Sequence, residues 1–196
     1  ELQFANAKKA LQTLDADIVA FQEIANDAAM ASLMAELPAY DFVRSDVHSY
    51  SWDPSRNLVP QKLYVAYKKD VVKVKSQKVL LHKLYQDVLA GTATLPNYPA
   101  AQTSFWASGR LPLLVELEAT VNGVTQQIYV VNLHTRANSG TNVTPYNQRK
   151  YDVQVLKASL AAQYPNVNLV MLGDMNEDVD IPVVNNLPSS LNPFVQ

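Results

Sequence analysis

The sequence contains no cysteine. Disulfide bonds and thiolate metal sites are therefore excluded, and the lack of cysteine is compatible with an exported or a cytosolic protein. The sequence also has no run that approaches the ~18–20 apolar residues of a membrane-spanning helix. Its first residues, Glu1 to Phe4, do not have the pattern of a signal peptide. Any metal that the chain binds must therefore be held by oxygen or nitrogen ligands.

Charged residues are few and nearly balanced. Lysine and arginine number 16 against 18 aspartate and glutamate, which gives a formal net charge of -2. This charge gives no global attraction to nucleic acid, so a bound divalent cation would have to supply local positive charge. With 48% apolar residues in 196, disorder is excluded and the chain can form one α/β domain with a real core. We predict a single domain over residues 1–196.

Hydrophobic periodicity and turn signals predict an alternation of helices and strands. The predicted helices are residues 3–15, the segment from an N-cap at Asn26 to Pro38, and residues 146–163. The predicted strands are residues 18–21, 40–47, 62–68, 71–81, 113–120, 127–133 and 169–172. Asn122-Gly123 is a type I′ hairpin signal, and residues 82–108 are predicted to be an irregular connection. The order predicts an α/β fold with mixed strand directions.

The most informative stretch is the apolar run 169–172 and the polar residues that follow it. The run predicts a buried strand that ends at Gly173. Asp174 and Asn176 lie two residues apart, so in extended chain they point to the same side. A carboxylate and an amide oxygen suit Mg²⁺ and a phosphate group better than zinc. The alternative is an acidic strand-to-loop turn.

Two other predicted strands end in residues that can carry chemistry. Glu23 follows the run 18–21, and His134 follows the strand 127–133. Each has a structural alternative, because Glu23 could be a capping acid and His134 a hydrogen-bonded loop histidine. Together with Asp174 and Asn176, however, they are the groups used in metal-assisted phosphodiester hydrolysis.

Four ordered motifs resemble those of the endonuclease/exonuclease/phosphatase superfamily. They are residues 17–23, 108–112, 131–134 and 172–176. The superfamily includes pancreatic-type DNases, abasic-site endonucleases, neutral sphingomyelinases and inositol polyphosphate 5-phosphatases. The resemblance covers residues from about 3 to 178 and is specific for the superfamily but not for a substrate. The longer phrases 105–110 and 173–180 resemble exported bacterial members, which implies an exported protein.

The resemblance implies a fold and a role for each candidate residue. The fold is a four-layer α-β-β-α sandwich with two mixed sheets, similar to that of pancreatic-type DNases. Glu23 would be the principal ligand of Mg²⁺ or Mn²⁺. Asp174 would orient or deprotonate the attacking water, Asn176 would hold a phosphate oxygen, and His134 would assist the leaving oxygen. Arg110 would seat the phosphate or buttress the cleft, the alternative being a structural ion pair at the start of a strand.

The sequence also departs from the family pattern. The family begins with a strand that carries a metal-binding asparagine and ends with a strand that carries an Asp-His pair. Neither motif is found here, and no Asp-His dipeptide occurs in the sequence. We therefore expect an incomplete domain that is nearly inactive on its own.

Three functional hypotheses remain open after the sequence alone. The first is a divalent-metal-dependent phosphodiesterase, with nucleic acid as the favoured substrate. The second is a phosphoesterase acting on a phospholipid or a sugar phosphate. The third is a non-catalytic binding module that has kept the fold. The presence of Glu23, His134, Asp174 and Asn176 together argues against the third.

Overall fold

The computed structural model describes residues 2–140, 142–181, 183–184 and 187–195. Within these ranges the chain forms four right-handed α-helices and seven strands. The helices are α1 (Leu2–Leu14), α2 (Asp27–Ala35), α3 (His82–Leu89) and α4 (Val143–Gln163). The strands are β1 (Ile18–Ile24), β2 (Tyr40–Arg44), β3 (Lys62–Lys68), β4 (Val72–Val79), β5 (Leu113–Val121), β6 (Val124–His134) and β7 (Leu169–Asp174).

The strands form two sheets. The order in the first is β1-β3-β2, with both pairs antiparallel. The order in the second is β4-β5-β6-β7, where only β6 and β7 run parallel. The α/β fold of two sheets with helices is confirmed, although only the four-stranded sheet is mixed.

Three apolar clusters separate four layers. The central strand β3 takes part in two of these clusters, because its alternate side chains are buried on opposite faces of the sheet. Tyr64 and Ala66 pack in one cluster with the apolar residues of α1 and α2, including Leu11 and Met30. Leu63 and Val65 pack in a second cluster, against strands of the other sheet. The third cluster joins the four-stranded sheet to α3 and α4. The predicted α-β-β-α sandwich follows from this packing.

Local signals set several element boundaries. The Asn26 side chain accepts a hydrogen bond from the Ala29 N–H at 3.0 Å and caps α2, as predicted. Asn142 caps α4 in the same way, so this helix begins three residues earlier than predicted. Asn122 and Gly123 have φ of 51° and 76° and join β5 to β6, which agrees with the predicted hairpin turn.

The structure differs from the sequence prediction in three further places. Residues 82–89 form α3 rather than irregular chain, and the helix was missed because it is short and lacks a side-chain cap. Strands β3 and β4 follow one another but belong to different sheets, since alternation of side chains does not specify a pairing partner. Strands β1 and β7 were predicted to be buried but are half-exposed at sheet edges in the described chain. None of the described helices combines the length and apolar character needed to cross a membrane.

Candidate active site

His134 and Asp174 lie side by side at the ends of two parallel strands. Their Cα atoms are register partners in the β6–β7 ladder, and the next pair back is Leu133 with Gly173. The His134 Nε2 atom lies 3.6 Å from the Asp174 Oδ2 atom. The Thr135 N–H extends the ladder by donating to the Asp174 carbonyl at 3.0 Å. The parallel register therefore fixes the spacing of these two side chains.

Glu23 reaches the same point from the other sheet through a β-bulge. The β1–β3 register shifts between Phe21 and Ile24, and Glu23 has a left-handed φ of 58°. A bulge of this kind redirects side chains that regular alternation would place elsewhere. The Glu23 Oε1 atom consequently lies 4.0 Å from the His134 Nε2 atom.

The bulge is tied to the second sheet by a fully buried amide. The Gln22 Nε2 donates to the Asn132 Oδ1 at 2.8 Å. The Asn132 Nδ2 in turn donates to the carbonyls of Phe21 and Tyr64, at 2.9 and 2.8 Å. Because Asn132 stands two residues before His134 on β6, this network holds Glu23 at a fixed distance from the histidine.

The three side chains differ sharply in their contact with water. The His134 side chain is 4% exposed, whereas those of Glu23 and Asp174 are 61% and 51% exposed. Burial, and next the charge of Arg110, lower the pKa of His134, while Asp174 and Glu23 oppose this shift. The ring is therefore neutral near pH 7. Its Nε2 atom faces the carboxylates of Glu23 and Asp174, and both can accept a hydrogen bond. We assign the ring proton to Nε2, which makes His134 a hydrogen-bond donor at the cleft.

Asn176 lies immediately beside this group. Its backbone is left-handed, with a φ of 53°, and its N–H donates to the Asp174 Oδ1 at 2.9 Å. Its Nδ2 donates to the Thr135 carbonyl at 3.1 Å, and its own carbonyl accepts from the Asn138 Nδ2 at 2.7 Å. The amide is thus held in place, and one of its two Nδ2 hydrogens remains for a ligand.

Arg110 lies behind the three side chains and binds backbone rather than a carboxylate. Its Nε donates to the His134 carbonyl at 3.1 Å and its Nη2 to the Thr135 carbonyl at 3.0 Å. Its Nη1 donates to the Gln61 Oε1 at 2.7 Å. Among the described residues, Arg110 forms no ion pair. Its hydrogen bonds to the backbone of His134 and Thr135 instead fit the predicted role of a residue that buttresses the cleft. Burial lowers the pKa of Arg110 to about 10, which leaves the guanidinium charged at neutral pH.

Gln61 connects Arg110 to Glu23, a link that sequence analysis did not detect. While its Oε1 accepts from Arg110, its Nε2 donates to the Glu23 Oε1 at 3.3 Å. The residue precedes β3 directly and has no motif of its own, so nothing distinguishes it from other polar loop residues. Among the described residues, Gln61 is the one whose side chain orients the Glu23 carboxylate through a hydrogen bond.

These groups open onto a cleft of about 590 Å³. Four residues already described contribute to its lining: Glu23, Gln61, Arg110 and His134. The other walls come from the loop between β2 and β3, from the turn before β5, and from the chain after β6. Their lining residues are Ser49, Tyr50, Leu58, Val59, Ala107, Ser108, Arg136 and Ala137. The volume is in the usual range of a ligand pocket, about 300–1,000 Å³.

One wall of the cleft is a left-handed turn. Trp106, Ala107 and Ser108 have φ of 45°, 50° and 67°, an arrangement that non-glycine residues rarely adopt. The loop after β2 holds the turn, because the Ser49 Oγ donates to the Ala107 carbonyl at 2.7 Å. The Tyr50 N–H donates to the Ser108 carbonyl at 2.8 Å. The two walls are therefore a single hydrogen-bonded unit.

The arrangement brings together all five residues singled out in the sequence. Glu23, His134 and Asp174 face one another, Asn176 is hydrogen-bonded to Asp174, and Arg110 supports the backbone of His134. What the sequence analysis missed is the set that surrounds them, namely Gln61, Asn132, Tyr50 and Arg136. Of these, Asn132 alone had a local signal, since an asparagine inside an apolar strand must find a buried partner.

A sequence-family model matches this chain. The model described as the endonuclease/exonuclease/phosphatase family matches residues 2–192, nearly the whole chain. The chain belongs to this family. No curated protein shows significant sequence similarity to it.

Solved structures of the endonuclease/exonuclease/phosphatase family share the fold at low sequence identity. A family protein from Bacteroides thetaiotaomicron is 14% identical with a TM-score of 0.61, and 98% of this chain covers 58% of that chain. A mannosyl-6-phosphatase from the same organism is 13% identical, with a TM-score of 0.58 and coverages of 98% and 60%. D. rerio TDP2, complexed with single-strand DNA product, is 17% identical, with a TM-score of 0.54 and coverages of 89% and 54%.

The chain thus spans between 54% and 60% of the length of these relatives. At such identities the likeness establishes the fold, while activity and substrate have to be argued from the site itself.

The candidate metal ligands in this site are carboxylate oxygens, which suit Mg²⁺. In the described ranges, no group of three histidine, cysteine, aspartate or glutamate side chains is placed to hold an ion. Mg²⁺ does not need such a cage, because it commonly keeps several waters and is bound by one or two carboxylates and a substrate phosphate. The exposed carboxylate of Glu23 meets that requirement. A closed tetrahedral zinc site is not present in the described residues.

Replacing Gln61 by leucine should lower turnover about 10-fold without unfolding the protein. The substitution leaves the Arg110 Nη1 atom without its acceptor and frees the Glu23 carboxylate, and a hydrogen bond to a charged group contributes about 1.5–3 kcal/mol. Steady-state kinetics and thermal melting would measure the two effects separately. Gln126→Leu, on exposed chain at the far end of β6, is the matched control. Equal kinetics for both variants would show that Gln61 does not organise the site.

Proposed function

We propose that this protein is a divalent-metal-dependent phosphodiesterase that hydrolyses its substrate by in-line attack of water. The observation that carries the proposal is that a buried neutral histidine at the cleft lies between two exposed carboxylates, one of which, Glu23, also lines the cleft. The Nε2 atom of His134 lies 3.6 Å from Asp174 and 4.0 Å from Glu23. Membership of the endonuclease/exonuclease/phosphatase family supports ester hydrolysis as the reaction class.

Asp174 is the residue that we assign to the attacking water. Its carboxylate is half-exposed, so water can reach it, and the Asn176 N–H fixes one of its two oxygens at 2.9 Å. The other oxygen, Oδ2, faces His134, whose ring lines the cleft. A carboxylate held in this way can orient a water molecule and accept its proton as the oxygen attacks phosphorus.

His134 and Asn176 are assigned to the phosphate and the leaving oxygen. The buried imidazole presents a donor at Nε2, and Asn176 has a free amide hydrogen beside it. Preorganised donors of this kind stabilise the charge that develops in a transition state. Arg110 keeps the backbone of His134 in place through two hydrogen bonds and adds a positive charge behind the ring.

Glu23 is the residue that we assign to the metal. A divalent cation bound there would polarise the phosphate and neutralise part of its charge. Mg²⁺ or Mn²⁺ is the proposed ion, because the ligand is a hard carboxylate oxygen and the chain has no thiolate. Gln61 limits the motion of the carboxylate by its hydrogen bond to Oε1.

Nucleic acid is the substrate that we favour, and a sugar phosphate is the second candidate. The TDP2 structure holds a single-strand DNA product, whereas another relative of the same fold is a mannosyl-6-phosphatase. At 17% and 13% identity, neither relative distinguishes between the two substrate classes for this chain. The apolar and cationic lining of the cleft favours a phosphate attached to a flat, weakly polar group over one attached to a polyhydroxylated sugar.

Substituting Glu23 by glutamine tests the proposal. We expect a protein in which this chain is extended by the two terminal family motifs to hydrolyse bis(p-nitrophenyl) phosphate and plasmid DNA with Mg²⁺ and to stop when EDTA is added. Glu23→Gln should bind Mg²⁺ far more weakly by calorimetry and lose most of the activity, because an amide oxygen lacks the charge that holds the ion. Glu118→Gln, on the exposed part of β5, is the control. Hydrolysis that is insensitive to EDTA, or unchanged Mg²⁺ binding by Glu23→Gln, would remove Glu23 and the metal from the mechanism.

A further inference from the structure

Tyr50 is the aromatic side chain that lines the cleft with Glu23, His134 and Arg110. It lies in the loop between β2 and β3. Its backbone has a left-handed φ of 61°, and its N–H is bound to the Ser108 carbonyl at 2.8 Å. A non-glycine residue persists in this rare conformation only where the surrounding structure holds its backbone.

The Tyr50 ring is braced from outside the cavity. The guanidinium carbon of Arg56 lies 4.3 Å from the ring centroid, and Arg56 does not line the cleft. The Arg56 Nε in turn bonds the Asp53 Oδ2 at 3.1 Å, and the Asp53 N–H donates to the Tyr50 carbonyl at 2.9 Å. Cation–π contact and these two bonds hold the ring without filling the pocket.

The rest of the cavity lining selects a flat apolar group rather than a sugar. Leu58 and Val59 are exposed apolar residues on the same loop, and both line the cavity. Two of the polar side chains in the lining are already hydrogen-bonded within the protein, Ser49 to the Ala107 carbonyl and Gln61 to Glu23 and Arg110. Glu23 and His134 are assigned to the metal and the phosphate, so the surface left beside them is that of Tyr50, Leu58 and Val59, on which an aromatic ring can stack.

We propose that Tyr50 determines substrate specificity: its ring forms the wall on which an aromatic ring of the substrate, such as a nucleic-acid base, stacks beside the scissile phosphate. The inference rests on the proposed function and narrows its substrate class to phosphodiesters that carry an aromatic group. Arg136 lines the same cavity, and its guanidinium, whose Nη2 donates to the Ser104 carbonyl at 2.6 Å, places a positive charge beside the phosphate of such a ligand. Stacking of a base on an aromatic side chain is tolerant of sequence, and its removal weakens binding about 5- to 150-fold.

Binding of two ligands that differ only by the base tests the inference. Deoxyadenosine 5′-monophosphate and deoxyribose 5-phosphate would be titrated by calorimetry, with Mg²⁺ present, into the wild-type protein, Tyr50→Phe and Tyr50→Leu. We expect the wild-type and phenylalanine proteins to prefer the nucleotide about 10-fold or more. The leucine protein should bind both ligands equally. A wild-type ratio near one, or a preference that survives in Tyr50→Leu, would overturn the proposal.

A second measurement does not depend on the folding of Tyr50→Leu. In the wild-type protein with ring-labelled tyrosine, the adenine protons should show nuclear Overhauser contacts to one tyrosine ring, and that signal should be missing from Tyr50→Phe. Contacts to a different tyrosine, or none, would contradict the assignment.

Hydrolysis of bis(p-nitrophenyl) phosphate separates this inference from the proposed function. Turnover by a protein that shows no preference for the nucleotide would leave the phosphodiesterase standing and remove the role of Tyr50. In the protein extended by the two terminal family motifs, preference for the nucleotide without any turnover would support the stacking wall and overturn the phosphodiesterase.

Discussion

Replacing His134 by alanine should lower turnover about 100-fold or more, the effect of losing a preorganised hydrogen-bond donor. The physical reason is the position of its Nε2 atom, which is buried but faces Asp174 at 3.6 Å and Glu23 at 4.0 Å. No other described side chain occupies this point between the two carboxylates. The affinity for Mg²⁺ should barely change, because the proposed ligand is Glu23 and not the imidazole. Steady-state kinetics and calorimetry on the same preparations would measure both quantities.

Two substrates distinguish the two roles that His134 could have. If the Nε2–H of the neutral imidazole donates a hydrogen bond to the leaving oxygen, its loss should matter much more for a dinucleotide, which expels a poor alkoxide, than for bis(p-nitrophenyl) phosphate, which expels a stable phenolate. If the imidazole stabilises only the phosphate, the two substrates should lose rate equally. His82→Ala, on α3 and away from the cleft, is the matched control. Wild-type turnover by His134→Ala on both substrates would remove the residue from the reaction.

The parts of the site that the sequence predicted are those with a local signal. A short apolar run followed by an acid was enough to place Glu23 and Asp174 at strand ends, because a buried strand that stops at polar residues has a recognisable pattern. His134 was found for the same reason. In each case the evidence lies within a few residues along the chain, and the structure agrees with it.

The geometry that makes these residues a site could not be predicted, since it depends on contacts between distant segments. The direction of Glu23 is set by a bulge, which exists only because β1 pairs with β3. Gln61 matters because it lies between Glu23 and Arg110, and its own neighbours in the sequence do not indicate this. The same holds for the left-handed turn at residues 106–108, which is stabilised by hydrogen bonds from the loop after β2.

Replacing Gly173 by alanine should destabilise the protein by several kcal/mol, roughly 3–5, and abolish activity in the molecules that remain folded. Gly173 has a φ of 139°, and a Cβ atom added to it would lie 1.8 Å from the Leu133 carbonyl oxygen. That oxygen belongs to the neighbouring strand β6, where Leu133 is the register partner of Gly173. Relief of the contact requires the two backbones to separate, and a flexible side chain cannot absorb it.

Gly91→Ala separates this contact from the general cost of a left-handed glycine. Gly91 has a φ of 72° with open space around the added Cβ atom, so its substitution should cost only about 1 kcal/mol. Urea unfolding of both variants gives the difference. Separation of β6 and β7 at Gly173 should also change the spacing of His134 and Asp174, because this pair follows directly after the Leu133–Gly173 pair in the same ladder. If both substitutions cost the same, the close approach of β6 and β7 does not hold the catalytic pair at its spacing, and the 3.6 Å separation must have another cause.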